Sequence, residues 1–436
     1  MTGIATTSSG HRAAITVTVL CWVLVVFDGY DLIVYGTVLP ALLAEPGWGL
    51  TPATAGLLGS LAFAGMLVGA LLAGFLCDRL GRRWTILACT VWFSVFTALC
   101  AVATGPEMFG AFRLLAGIGL GGLVPSANAL GAEFVAPRRR SLVATLMMSG
   151  VPIGGSLAAL IGIVVLPGHG WRPMFAIALL AVVVVLPICV FRLPESPAWL
   201  RSHGRSTEAE RVEQRFGLVP EEGGVVERVG VSALVRAPFL RPTVLFALAT
   251  LATLFAWYGL GTWLPQLMRT AGFDLGPALA FLLALNLGAV LGSLVSAWGG
   301  VRFGPVPTGV VACLAAAGGL LLLLTGPGSA VSYLALVFAG VGTHGTQCLI
   351  IAAVASHYPA ALRGSALGSA LGVGRIGAVA APQVGGLLLA AGFGVDANFL
   401  VFAIAAALAG LVLLFAPRAV AAARPARTEE EGVTIR

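Results

Sequence analysis

Apolar residues run in long blocks along the chain, and polar or charged residues are confined to short breaks between them. Crossing the hydrocarbon core of a bilayer takes about 20 apolar residues at a rise of about 1.5 Å each. Twelve blocks reach that length, near 14–43, 53–77, 84–104, 108–134, 141–166, 171–192, 242–268, 276–300, 306–325, 330–357, 363–392 and 396–417. Each predicts a membrane-spanning helix. The first begins near Ala13 after a short polar start; it is too long for the core of a signal peptide and is expected to remain as the first span.

The one long polar break, 193–241, separates six blocks from six. The expected organisation is a six-helix bundle over 1–192, a cytoplasmic loop over 193–241, a second six-helix bundle over 242–417 and a cytoplasmic tail over 418–436. The halves repeat weakly: Pro137 and Gly150 correspond to Pro359 and Gly372 at an offset of 222, and Arg79 and Gly81 to Arg302 and Gly304 at 223. Two halves in the same orientation predict a substrate site between them near the bilayer midplane.

Composition agrees with the pattern. Of 436 residues, 58% are hydrophobic and 10% charged, and the mean hydropathy is +0.99, which excludes an ordinary soluble protein. The net charge is +7, and every one of the 25 basic residues is arginine. Lysine chemistry such as Schiff bases and P-loops is thereby excluded. With the N-terminus inside, 21 arginines fall on the cytoplasmic side, two (Arg172 and Arg269) outside, and two (Arg113 and Arg375) within the membrane. That asymmetry predicts a multi-pass protein of the bacterial cytoplasmic membrane with both termini cytoplasmic. It also reads the basic balance as topology and gives no reason to expect nucleic acid. The seven cysteines form no CxxC pair, so neither a disulfide nor a metal site is expected. HExxH and GxSxG are absent, so an enzyme is not expected, and no cofactor is.

Charges inside the blocks carry the chemistry, because an aspartate at the centre of a membrane helix costs about 2.5–3.5 kcal/mol. Asp28 and Asp31 share one face of the first helix, with Tyr35 one and two turns on. Two carboxylates close together in low dielectric do not both ionise readily, which suits a proton carrier. Arg113, in the fourth block, needs a partner, for which Asp28 and Asp31 are the candidates. Glu133 lies about five turns farther along that block and is a further acid candidate for proton coupling. Arg375 falls about 18 Å past Arg363, near mid-membrane, in a stretch with no acid between Asp274 and Asp396. A guanidinium there can grip a carboxylate substrate bidentately, or pair across the halves with Asp28 or Asp31. His344, which could titrate near neutral pH and so serve proton coupling, shares a face of the tenth block with Gln347; Gln347, Trp257, Tyr258, Asn286, Tyr35 and Arg113 join Arg375 as candidates for contacting a substrate.

Several stretches resemble a known family. Gly74-Phe-Leu-Cys-Asp78-Arg79-Leu-Gly81-Arg82-Arg83 resembles the GxxxDRxGRR signature of the major facilitator superfamily, in which Gly74, Asp78, Arg79, Gly81, Arg82 and Arg83 would form a conformational latch. The second half departs from it, with Val301 where the acid is expected. Asp28-Gly-Tyr-Asp31, Arg113-Leu-Leu-Ala-Gly117, Gly345-Thr-Gln347, Tyr358-Pro-Ala-Ala-Leu-Arg363 and Gly372-Val-Gly-Arg375-Ile-Gly377 resemble the aromatic acid/proton symporters of that superfamily. Pro194-Glu-Ser-Pro-Ala-Trp-Leu200 is similar to the PESPRWL stretch of sugar and organic-ion porters. The resemblance implies an all-α membrane fold of two pseudo-symmetric six-helix bundles. It also implies uptake of a small aromatic carboxylate with protons by a monomer in the lipid bilayer, the alternatives being a transporter of another organic acid, a sugar or a drug within the superfamily, or a membrane receptor that binds its ligand without moving it.

Reporter fusions after residue 205 and at the C-terminus are expected to be active only as cytoplasmic reporters. A signal from the outer side at either position would reverse the topology.

Overall fold

The computed structural model describes residues 8–136, 140–218, 231–326 and 328–417. Twelve membrane-length helices, numbered α1 to α12, are found among them. The first half holds α1 (Ser8–Leu43), α2 (Pro52–Leu80), α3 (Arg82–Cys100), α4 (Pro106–Glu133), α5 (Arg140–His169) and α6 (Arg172–Arg192). The second holds α7 (Leu240–Thr270), α8 (Leu275–Phe303), α9 (Pro305–Leu323), α10 (Ser329–His357), α11 (Ala360–Ala390) and α12 (Gly394–Leu414). All twelve expected spans are present, displaced by a few residues at their ends. Pro137, Arg138, Arg139 and the tail from 418 onward lie outside the described residues.

Local chemistry sets the ends. Thr51 caps α2, accepting from the Thr54 amide at 3.2 Å, while its own amide donates to the Thr54 hydroxyl at 2.9 Å. Pro52 follows at the first turn, where its missing N–H costs nothing. The α2–α3 and α8–α9 joints both turn on a glycine of positive φ, +90° at Gly81 and +91° at Gly304, a conformation that only glycine adopts without strain. The α6 span is irregular. Pro187 has no N–H to give to Val183, and the ladder ahead of it widens to a π-helix over Ala181–Val185.

The two halves pack alike. In the first, α4 lies against α2 and α3, and α1 against α5; in the second, α10 lies against α8 and α9, and α7 against α11. Small residues permit these approaches: a Cβ on Gly65 would collide with the backbone of Leu114, and one on Gly340 with that of Leu285. The halves meet through α2–α11, α5–α8 and α1–α7.

These seams are tight at the end away from the arginine cluster. A Cβ on Gly56 of α2 would sit 2.6 Å from the Pro382 carbonyl of α11, and Trp263 of α7 donates to that same carbonyl at 2.8 Å. Toward the arginine-rich end the seam is looser: a Cβ on Gly368 or Gly372 of α11 would meet nothing within 4 Å. The halves are therefore sealed together at one face, while the α11 glycines nearer the other have open space beside them.

Gly56→Val is expected to wedge the sealed end apart, since the valine has no room beside the Pro382 carbonyl. Pulsed electron resonance between labels on the outer ends of α2 and α11, in a cysteine-free background, is expected to show a longer distance than in the parent. An unchanged distance would mean that this contact does not set the seal.

Candidate functional site

Midway through the bundle the halves enclose a cavity to which α1, α4, α5, α7, α10 and α11 contribute side chains. Asp28 stands 15 residues before the end of α1 at Leu43, and Arg375 stands 15 before the end of α11 at Ala390. At about 1.5 Å per residue both sit at mid-membrane depth, and both line the cavity. The Asp28 side chain is buried, and neither of its oxygens has a hydrogen-bond partner. Arg375 is the cation whose field it feels most strongly. The guanidinium contacts Met66 Sδ at 3.7 Å and lies against the Tyr258 hydroxyl. Among the described residues it has no carboxylate within ion-pairing distance.

Aromatic and amide groups complete the walls. Trp257 and His344 face each other with ring centroids 5.2 Å apart, and Phe63 of α2 packs on Tyr258 at 4.5 Å. The His344 Nε2 lies 3.2 Å from the Met148 carbonyl, which can only accept, so that nitrogen carries the hydrogen. This bond bridges α10 to α5 and thus one half to the other. Trp257 Nε1 and both amide atoms of Gln347 are buried without partners. Of the residues singled out in the sequence, Asp28, Arg375, Trp257, Tyr258, His344 and Gln347 therefore converge on one cavity.

Others do not. Asp31 is turned away from the cavity and locked to Arg113, whose Nη1 donates to both carboxylate oxygens at 3.0 and 2.9 Å, with Thr97 donating to Oδ1 at 2.6 Å. Both charged side chains are fully buried, and the pair resolves the choice of partner for Arg113 in favour of Asp31. Arg113 is thus engaged inside the first half and does not line the cavity. Tyr35 donates to the Ala55 carbonyl at 2.5 Å and packs beside Gly59 and Pro382 at the sealed end. Asn286 lies in the α5–α8 seam, where its Oδ1 presses on Gly155. Neither lines the cavity: the Tyr35 hydroxyl is taken by the Ala55 carbonyl, and Asn286 Nδ2 donates to the Leu282 carbonyl of its own helix at 2.9 Å.

Glu133, read from the sequence as an acid for proton coupling, ends α4 at the arginine-rich face and ion-pairs there with Arg82. It is remote from Asp28 and belongs to the loop cluster. In that cluster Glu195 accepts from the amides of Arg83 at 3.1 Å and Ser196 at 2.9 Å, just beneath Gly81. Trp199 donates to the Asp78 carbonyl at 3.0 Å, and Arg83 reaches the Val190 carbonyl at 2.6 Å. The segment after α6 is thereby fastened to the α2–α3 turn. Asp78 and Arg79 are exposed, with Arg79 over the Phe75 ring. Gly74 has open space beside it, and Val301 is 90% exposed in the corresponding second turn. At the opposite face Glu45 accepts from Arg172 at 2.7 Å and Trp171 at 2.8 Å. Burial pushes its carboxyl up, but these hydrogen bonds outweigh burial and leave it below the usual carboxylate range.

Val124, Met148, Val151 and Thr343 line the cavity without having been marked by the sequence. Nothing separates an apolar residue facing a cavity from one facing a neighbouring helix until the helices are docked.

Two repeated six-helix halves around a charged mid-membrane cavity define the class of alternating-access transporters. The chain belongs to the Major Facilitator Superfamily, whose family model matches residues 21–382. A gentisate transporter from Corynebacterium glutamicum is 53% identical over 408 residues, spanning 93% of this chain and 87% of that protein. A benzoate transport protein from Acinetobacter baylyi is 34% identical, over 92% of this chain and 88% of the relative. The xylose transporter XylE from E. coli, in an inward-open structure, superposes with a TM-score of 0.72 at 18% identity, covering 93% of this chain and 97% of that one. Family and relatives are transporters, not enzymes.

Removing one partner of a buried ion pair strands the other charge, which costs about 3–5 kcal/mol. Asp31→Asn and Arg113→Gln are each expected to lower the melting temperature in detergent markedly, and the double variant to recover much of the loss. Additive losses would show that the two residues do not act as a pair.

Proposed function

We propose that the protein imports a small aromatic carboxylate, of the benzoate or hydroxybenzoate type, together with protons across the cytoplasmic membrane. The observation that carries this reading is the unpaired buried carboxylate of Asp28 facing the guanidinium of Arg375 across a cavity walled by aromatic rings. Gentisate, a dihydroxybenzoate named for the relative at 53% identity, is the first substrate to test. The arginine asymmetry supports placing the arginine-rich face in the cytoplasm, so that the cavity opens inward.

A carboxylate arriving at Arg375 takes the planar two-point grip that a guanidinium offers, and its ring lies against Trp257 and Tyr258. It also takes over the cation that Asp28 faces. An isolated charge buried in low dielectric is prohibitively costly, so Asp28 enters the loaded state as the neutral acid. The site then carries no net charge in either form: aspartate with arginine when empty, and neutral aspartic acid with arginine and substrate anion when loaded. Each anion moves with one proton. A proton without substrate, or a substrate without a proton, leaves a net charge in the cavity and holds the halves from rocking past it. Asp31 stays with Arg113 throughout and keeps α1 and α4 in register. The loop cluster of Asp78, Arg79, Gly81, Arg82 and Arg83 is the latch that closes the cytoplasmic side once α2 and α11 come together there.

In proteoliposomes, Asp28→Asn is expected to abolish accumulation driven by an imposed pH gradient while substrate exchange continues. Arg375→Ala is expected to remove the preference for the acid over its uncharged amide, and Arg375→Lys to retain part of it. Wild-type uptake of gentisate is expected to be competed by benzoates and left unaffected by sugars or aliphatic acids. Gradient-driven accumulation by Asp28→Asn, or acid preference in Arg375→Ala, would contradict the assignment.

A further inference from the structure

The cavity offers a polar atom that a plain aromatic carboxylate cannot use. Gln347 is 4% exposed, lines the cavity, and has neither Oε1 nor Nε2 hydrogen-bonded. Its neighbours on α10 are spent elsewhere: the Thr343 hydroxyl donates to the Ala339 carbonyl at 2.7 Å, and His344 Nε2 is on the Met148 carbonyl. The wall from α4 and α5, Val124, Met148 and Val151, has no side-chain donor to offer Gln347.

A carboxylate only accepts hydrogen bonds. It can draw on Arg375, on Trp257 Nε1 and on the Gln347 NH2, but it can give nothing to Gln347 Oε1. A ring hydroxyl differs, because it donates to Oε1 while its oxygen still accepts from a neighbouring N–H. We infer that Gln347 reads a hydroxyl on the substrate ring, so that the protein selects hydroxybenzoates over benzoate. This rests on the aromatic-carboxylate reading above and adds the feature that decides among such acids. Sites built to hydrogen-bond a substrate hydroxyl reject the analogue lacking it strongly, because a buried polar group is then left unpaired. Here the expected preference is about tenfold or more in affinity.

The test is equilibrium binding of benzoate, the three monohydroxybenzoates and the three methoxybenzoates to the purified full-length protein. A methoxy group has the oxygen but no hydrogen to donate. At least one hydroxybenzoate is expected to bind about tenfold tighter than benzoate, with its methoxy counterpart no better than benzoate. Gln347→Met, which keeps the volume and removes both polar atoms, is expected to erase the hydroxyl preference: whatever benzoate loses with the Gln347 NH2, the preferred hydroxy acid is expected to lose about tenfold more. Gln347→Glu, which keeps an acceptor, is expected to retain the preference. Equal affinity for benzoate and every hydroxybenzoate overturns the inference, as does methoxybenzoate binding as tight as that of the hydroxy acid. A uniform loss across the panel in Gln347→Met overturns it too, since it would mark a packing role. In each of these cases aromatic acids still bind and the broader reading stands. If no aromatic acid binds, and Arg375→Ala changes nothing, the broader reading falls and this inference with it.

Discussion

The structure is organised around the cost of placing charge in hydrocarbon. A carboxylate or guanidinium at mid-membrane is tolerated only when something compensates it, and this chain uses two different compensations. Asp31 and Arg113 are closed on each other within the first half, with Thr97 completing the carboxylate's contacts. Asp28 and Arg375 are on opposite halves, close enough to feel each other's field and without an ion pair. The first arrangement is static and holds α1 to α4. The second is incomplete, and its incompleteness is what a charged ligand and a proton can answer.

For such a site to be exposed to one side at a time, the halves must part at one end while touching at the other. Glycine and proline positions on α2 and α11 allow backbone-to-backbone contact at the sealed face, while Gly74 of α2 and Gly368 and Gly372 of α11, toward the arginine-rich end, have no neighbour within 4 Å. The first-half loop motif is already assembled: Glu195 and Trp199 hold the segment after α6 onto the α2–α3 turn, and Arg82 ties α3 to Glu133. What remains free in it are Asp78, Arg79 and the space beside Gly74, the parts that α11 would meet on closure. The second-half turn has the same glycine geometry but exposes Val301 in place of an acid, so it carries no carboxylate matching Asp78.

Much of this was legible in the chain itself. Twelve apolar blocks, a polar break in the middle and the arginine distribution led to the helices, and the mid-membrane depth of Arg375 followed from counting residues. The roles of Asp28 and Asp31 were not separable in the sequence, because residues three apart share a helix face only broadly. Which of them meets the fourth helix and which meets the cavity depends on the rotation of α1 against its neighbours. Tyr35 and Asn286 looked like site residues because polar groups in membrane helices are costly. Docking shows that cost met by a backbone carbonyl for Tyr35, whereas Asn286 gives its Nδ2 to a carbonyl of its own helix and keeps an Oδ1 without a partner. Glu133 looked intramembrane because the apolar block runs to its position, whereas the helix ends there and Arg82 reaches it from the α2–α3 turn.

The central claim is that substrate and Asp28 compete for the charge of Arg375, so that binding the anion brings a proton onto Asp28. Binding and protonation are then linked reciprocally. Calorimetric titration of the aromatic acid into purified protein, repeated in buffers of different ionisation enthalpy, counts the protons taken up on binding. The account predicts about one proton per substrate for the wild type, as the paired charges of Asp28 and Arg375 require, and none for Asp28→Asn. Binding without proton uptake in the wild type, or undiminished uptake in Asp28→Asn, would contradict it.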